Sequence, residues 1–450
     1  MPAESARDQL LNLRNSPDLH AHDPRDLLEV QLAAAQEMFE EHRGEVAPLD
    51  FRAREANIEK IRSVADLVPL LFAHASYKSY PMSFITHGRW DRLLKWYDSM
   101  SAVPVRDVPL DDVATIDDFV DRLWEHGYYA CLTSGTSGKC SFLNHTDADR
   151  RLSAEMRMQH WGWPGSSEVG GKLRAYRFAP PSGPNRGLDN WRNSVAHFAD
   201  PDQVQYLIDE PMRPSHHMEA GALRAAIANG TASPADIARY EEQTAQRAAR
   251  VAERFEAMVD DIVAHLDEPL LLAGGWARQH QLVEALRARG VAPGRFHPDT
   301  IISAGGGRKD PSTPRDVVEQ VFRFYGPVRR VNSGYSMSEM SDAHRECEHG
   351  RYHFLPWVIV LVLDESGERL LGPAEGRVEG RYACVDVSYQ GRWGGVISGD
   401  RVVVDSGPCP CGRPGATILP GIERYGELDD DDKVLCAAAV DQYVRGLVGA

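Results

Sequence analysis

LTSGTSGKCS, residues 132–141, places Ser134, Gly135, Thr136, Ser137, Gly138 and Lys139 between an apolar run, YYACLT from Tyr128, and a second extended stretch, SFLN. The pattern predicts strand, loop, strand. Glycines let backbone N–H groups close on an oxyanion, hydroxyls add donors and the lysine adds charge, so the loop suits a polyphosphate. It fails the Walker pattern: two residues separate the glycines where four are needed, and Cys140 follows the lysine where a hydroxyl residue would reach magnesium. A polar hairpin with no ligand is the plain alternative.

The chain has 450 residues, 42% of them hydrophobic and 26% charged, the composition of a globular protein too long for one core. A net charge of -16 argues against nucleic acid and anionic membranes as partners, because counterion release needs a basic surface. No stretch approaches the roughly 20 apolar residues of a membrane span, and the first residues lack a signal-peptide core. The expectation is a cytoplasmic enzyme acting on small molecules. Seven cysteines, an odd number, disfavour a disulfide framework and make metal binding the question. Lysines are as few, which draws attention to Lys139 and Lys309.

Helical spacing runs through residues 26–45 and stops at Gly44. A longer helix is predicted over 233–266, with Ser233 as N-cap, Pro234 in first position and Asp236 in the first turn. LLLAGG, a helix around QHQLVEALRARG, TIISAGGGRK and a helix around PRDVVEQVFRFYG then alternate as in a βαβ sheet, whose glycine loops fall at strand ends. Beyond residue 350 short strands are predicted: WVIVLVLD, RVEGRYACVDV, GGVIS and RVVVD. In SGDRVVVD, Asp400 is expected in a turn between two of these, where a carboxylate accepts both ribose hydroxyls.

TSGTSGK, SAGGGRK, NSGYSMSE and SGD, in this order, resemble the core motifs of the adenylate-forming superfamily of acyl-CoA ligases and acyl-protein synthetases. The resemblance spans about residues 70–430. YKSYP (77–81), GGGRK and CPCGR (409–413) are most similar to the branch of phenylacetate-CoA ligases and the acyl-protein synthetases of bacterial bioluminescence. It implies an α/β adenylation domain with βαβ subdomains and a β-rich part at about 350–420. The expected organisation is an N-terminal helical region and the start of this domain in 1–125, its core in 126–425 and a hinge-like tail in 426–450. It also implies that a carboxylate attacks the α-phosphorus of ATP, giving an acyl-adenylate and pyrophosphate, before a thiol of CoA or a carrier protein takes the acyl group.

By this resemblance Ser134 to Lys139 hold the β- and γ-phosphates, and Gly305, Gly306, Gly307 and Arg308 line adenine and the acyl pocket. In the third motif, which includes Ser333, Gly334, Ser336 and Met337, Tyr335 stacks on adenine, Ser338 meets the α-phosphate and Glu339 holds Mg²⁺. Asp400 binds the ribose. Phosphoryl chemistry agrees with such a set, being mostly positioning and charge neutralisation.

Cys347 and His353 in ECEHGRYH, with Cys409 and Cys411 in PCPCGR, offer four ligands for a tetrahedral ion, in a spacing looser than a zinc ribbon. Scattered core cysteines are the alternative, with His344 and His349 as substitutes for His353. The resemblance implies a structural zinc here. The superfamily's small C-terminal domain, which brings a lysine to adenylation, is expected to be missing or vestigial, since GIERYGELDDDDKV is followed only by 434–450. Lys309 or Arg308 then supplies the charge, and a carrier protein, an amine or a partner enzyme enters as acceptor. Tyr176, Phe178, Trp191 and His197 are expected to clamp an aryl or medium-length acid, with Arg186 or Arg192 free to pair a second carboxylate; aromatic core filling is the plainer reading. Rivals to acid activation are adenylation of a non-carboxylate and a nucleotide-binding scaffold without turnover.

Overall fold

The structure is a computed structural model that describes residues 4–133, 139–166, 168–305, 314, 316–331, 334–372 and 375–425. It divides into two compact units, 1–159 with 334–450, and 160–333. The boundary expected at 125/126 lies inside the first unit, and the expected tail, 426–450, lies outside the described residues.

The second unit follows from alternating apolar runs and amphipathic helices. Its five strands are all parallel, in the order Ala199–Tyr206, Leu173–Arg177, Leu270–Gly275, Ile301–Gly305, Arg329–Val331. The chain leaves Leu173–Arg177 toward one edge and returns to its other side, a reversal that makes a switch point at the carboxyl ends of the strands. The long helix Pro234–Ala264 starts as its sequence dictates: the Ser233 hydroxyl accepts the Asp236 N–H and Pro234 occupies the first turn, where no N–H is needed. Its apolar stripe, Met258, Val259 and Ile262, closes on Leu270, Leu272, Ile302, Val321 and Phe324.

The first unit is built on an antiparallel sheet in which Gly395–Asp405 is the hub, pairing with Arg377–Asp386, Thr417–Ile418, Glu423–Arg424 and, in parallel, Phe72–Ala73. Val358–Leu363 is buried on both faces, which its unbroken VIVLVL run predicts, and the helix Pro24–His42 packs against it. The predicted hairpin is present as Tyr129–Thr133 and Ser141–His145, with Thr133 opposite Ser141. Tyr80, Trp96, Tyr97, Phe119 and Phe142 pack edge to face behind it.

One expectation is corrected. GGVIS and RVVVD are not two strands with Asp400 in a turn; Gly395–Asp405 is continuous. Arg381 faces Arg401 but Ala383 faces Ile397, so Ser398, Gly399 and Asp400 together oppose Tyr382 as a bulge. A bulge re-aims a side chain without ending the strand, which is how Asp400 leaves the regular alternation. Its N–H donates to the Ser398 hydroxyl at 3.0 Å.

Candidate active site and metal centre

Thr133 pairs with Ser141 at the end of the hairpin, and Ser134 to Gly138 lie outside the described residues. The entry to the second strand is pinned. The Tyr80 hydroxyl donates to the Cys140 carbonyl at 2.9 Å, and the Lys139 ammonium lies 4.7 Å over the Tyr80 ring. The next motif enters the same unit as the strand Gly334–Tyr335, paired with His344–Glu346. Only glycine fits at 334, because a Cβ there would stand 2.5 Å from the His344 carbonyl oxygen.

Tyr335, 8% exposed, donates its hydroxyl to Asp400 Oδ2 at 2.8 Å, and Tyr382 meets its ring edge-on at 4.9 Å. Burial, then the Asp400 charge, pushes the phenol well above its ordinary range. Asp400 also faces Arg424 in the register, with the guanidinium 3.9 Å from Oδ1. The two residues expected at adenine and ribose therefore meet through a hydrogen bond that crosses the sheet.

Glu339 follows in a turn and is 7% exposed. Burial raises its carboxyl pKa, against the charges of Arg392 and Lys78, while Asp400 adds to the rise. Arg392 is fully buried; it donates to the Glu339 carbonyl at 2.5 Å and its guanidinium lies 3.7 Å over Tyr389 and 5.8 Å over Tyr77. Lys78 is partly buried, and desolvation lowers its pKa against the attraction of Glu339 and Cys140. A buried carboxylate offers the oxygen donors that a hard cation such as Mg²⁺ takes. Ser338 shares the Glu339 turn and is half-buried, as is Met337, whereas Ser336 is exposed. Sequence reasoning missed Lys78, Arg392 and Arg424. The quoted YKSYP and the scarcity of lysines were the available signal for Lys78; nothing local marked the two arginines.

In the second unit, Gly305 ends Ile301–Gly305 opposite Gly275, while Gly306, Gly307, Arg308, Lys309 and Ser333 lie outside the described residues. Tyr176 and Phe178 belong to the hydrophobic core: Tyr176 is fully buried, with its hydroxyl donating to Asp261 at 2.5 Å, and Phe178 packs on Gly274. Trp191 is buried in the helix Arg186–Phe198, His197 is exposed on its last turn, and Arg192 is committed to Asp189 at 2.6 Å.

Cys347, His353, Cys409 and Cys411 converge, their ligand atoms all within 4.8 Å of one another. CEHG and CPCG each close a turn from the fourth N–H to the first carbonyl, with Gly350 and Gly412 at positive φ, so each cysteine heads a tight loop. The Cys347–Cys409 sulfurs are 3.7 Å apart and Cys411 Sγ is 3.4 Å from His353 Nε2. Ligand distances of about 2.3 Å for sulfur and about 2.0 Å for nitrogen give tetrahedral edges of roughly 3.8 and 3.5 Å, so the cluster fits zinc. An ion held by all four would have no open position, the pattern of a structural rather than a catalytic site. His344 is excluded as a substitute because it accepts the Leu355 N–H through Nδ1 and donates through Nε2 to Tyr382. Exposed His349 is not in the cluster.

No protein-family model matches the sequence, and no curated protein matches it. Solved structures do. The chain has the fold of an adenylate-forming acyl-CoA ligase, with its parallel sheet and further antiparallel sheet. It is similar to 2-hydroxyisobutyryl-CoA ligase in an open conformation with 2-HIB-AMP and CoA, at TM-score 0.55 and 14% identity over 90% of this chain and 71% of that one. The same ligase in its thioesterification state, again with 2-HIB-AMP and CoA, gives 0.54 and 14% over 92% and 70%.

Proposed function

We propose that the protein activates a carboxylic acid with ATP, forming an acyl-adenylate and releasing pyrophosphate, and then passes the acyl group to a thiol of CoA or a carrier protein. The observation that carries this reading is the Tyr335–Asp400 hydrogen bond beside buried Glu339, in a fold shared with a ligase that forms an acyl-AMP. Asp400 orients the ribose and Tyr335 supplies the adenine-facing ring. Lys139, at the pinned exit of the hairpin loop, and Lys78, facing Glu339, supply positive charge to the triphosphate. Glu339 would hold Mg²⁺, which when bound neutralises phosphate charge. The carboxylate oxygen bonds to the α-phosphorus as the bond to the β-phosphate breaks, and its electron pair leaves with pyrophosphate. Cys347, His353, Cys409 and Cys411 would hold a structural zinc.

Pyrophosphate release across aryl, fatty and amino acids, with and without CoA, tests the reading. Release with at least one acid is expected, with CoA or a carrier protein accelerating turnover. Tight ATP binding without release for any acid would instead favour the scaffold.

A further inference from the structure

The parallel unit holds a cavity of its own. It lies at the carboxyl ends of the neighbouring strands Leu173–Arg177 and Ala199–Tyr206, has a volume of about 310 Å³, and is lined by Leu207, Ile208, Met212 and Val251. Open α/β sheets take ligands at this end of their strands, and ligand pockets begin at roughly 300 Å³. The walls are tied together. The Leu207 N–H donates to the Arg177 carbonyl at 2.8 Å, and the Met212 N–H to the Ser182 carbonyl at 2.8 Å. Gly183, at a φ of +151°, lets the loops after the two strands meet, because a Cβ there would stand 2.7 Å from Met212 Cβ. On the long helix, Arg254 donates to the Tyr206 carbonyl at 2.8 Å and to Asp209 at 3.0 Å. Hydrogen bonds thus fix the walls before any ligand enters.

The rim is cationic, in a chain whose net charge is -16. Arg213, Arg247, Arg250 and Arg254 line the cavity against two acids, Asp209 and Glu210. Asp209 is taken by Arg254, and Glu210 stands 3.9 Å from Arg250, at the limit of an ion pair. Arg247 has no hydrogen bond or ion pair among the described residues. Arg247 and Arg250 are three apart on one helix, which sets them on one face. The helix Pro214–Ala228 begins at the same rim, and its first-turn N–H groups add positive potential. An apolar floor under a surplus of guanidinium groups suits one kind of molecule, with hydrocarbon to cover the floor and an anion to meet the rim. We propose that this cavity binds a small anionic amphiphile, an alkyl or aryl chain ending in a phosphate or a carboxylate. The site lies wholly within 160–333 and stands independently of the activation reading.

The full chain is titrated by calorimetry with octyl phosphate, octanoate, neutral octanamide and inorganic phosphate, below the concentrations at which the amphiphiles form micelles. Saturable binding of octyl phosphate, octanoate or both is expected, with octanamide and inorganic phosphate each about tenfold weaker or more, since each keeps only half of the match. A preference for octyl phosphate names the head group as phosphate, and a preference for octanoate names it as carboxylate. The double variant Arg247→Gln with Arg250→Gln keeps helix-forming residues on an exposed face and so retains the fold. It should erase the advantage of the anions over octanamide. Ile208→Ser should erase the advantage of octyl phosphate over inorganic phosphate. Arg287→Gln, on another helix and paired with Glu284, should change neither. No saturable binding of either anion, octanamide binding as tightly as octanoate, or inorganic phosphate binding as tightly as octyl phosphate would overturn the site. So would an unchanged double variant, or an equal loss in Arg287→Gln.

Discussion

The two units treat buried charge in opposite ways. In 160–333 the core is aliphatic and aromatic, and the Tyr176 hydroxyl at its edge is tied off by Asp261. The antiparallel unit instead buries Glu339, Arg392, the pair Asp342–Arg345 and Asp386, joined across distant segments. Buried ionic groups weaken a fold when they replace well-packed apolar ones. Their concentration in one unit is the pattern expected where stability is exchanged for a site.

The largest expected effect follows from Glu339. Replacing it by Gln keeps the shape and removes the charge, and pyrophosphate release should fall by roughly two to three orders of magnitude. Thermal stability should rise at neutral pH. Because burial raises its folded pKa, the folded state holds that proton more tightly than the unfolded chain, so ionised Glu339 opposes folding above the raised pKa and the penalty fades as pH falls through it. The stability gain of Glu339→Gln should therefore shrink on acidification. A variant that loses activity and stability together at neutral pH would make Glu339 a structural residue and erase the contrast between the units.

Metal removal comes next. Cys409→Ser or chelation should release about one zinc per chain and lower the melting temperature on the order of 10 °C, since a structural zinc contributes its binding energy to the fold. Burial pushes the Cys409 thiol up to about 12, so without metal this thiol stays protonated at neutral pH. Metal analysis finding no zinc would remove the assignment.

Acidification should also act on the first unit. His42 and His344 are buried, and burial lowers each pKa to about 3. Between the ordinary value near 6.5 and about 3, the unfolded chain takes protons that the folded unit refuses, so stability present above 6.5 is lost as pH falls and levels off below 3. His344→Gln, followed by urea titration across this range, should flatten the loss. An unchanged slope would place the acid sensitivity elsewhere.

The elements from Pro234 to Tyr325 were legible because local signals decide them: a serine cap and proline before the long helix, apolar runs for parallel strands, glycines at strand ends. The convergence of Cys347, His353, Cys409 and Cys411 was legible as chemistry, since cysteine and histidine in paired tight turns suit a metal. Lys78, Arg392 and Arg424 were not, because what brings them to Glu339 and Asp400 is the order of strands in a sheet, which no window of sequence contains. Asp400 was read as a turn residue between two strands, whereas it lies within one. A bulge needs its partner strand to be seen.

The smallest effect sharpens the contrast from the other side, where Tyr176 and Phe178, expected to clamp the acid, are core. A Cβ added at Gly274 would lie 3.0 Å from both Cβ and Cδ2 of Phe178, closer than ordinary contact. Gly274→Ala should destabilise by about 1–3 kcal/mol, the usual result of overpacking. Adding Phe178→Leu should recover part of that loss, because the ring edge that clashes is gone and the two residues share one space. If Phe178 serves only the core, the double variant should recover part of the lost melting temperature and leave the ranking of acids in pyrophosphate release as it was. A changed ranking would return Phe178 to the acyl pocket, and would mean that the second unit, too, exchanges packing for recognition.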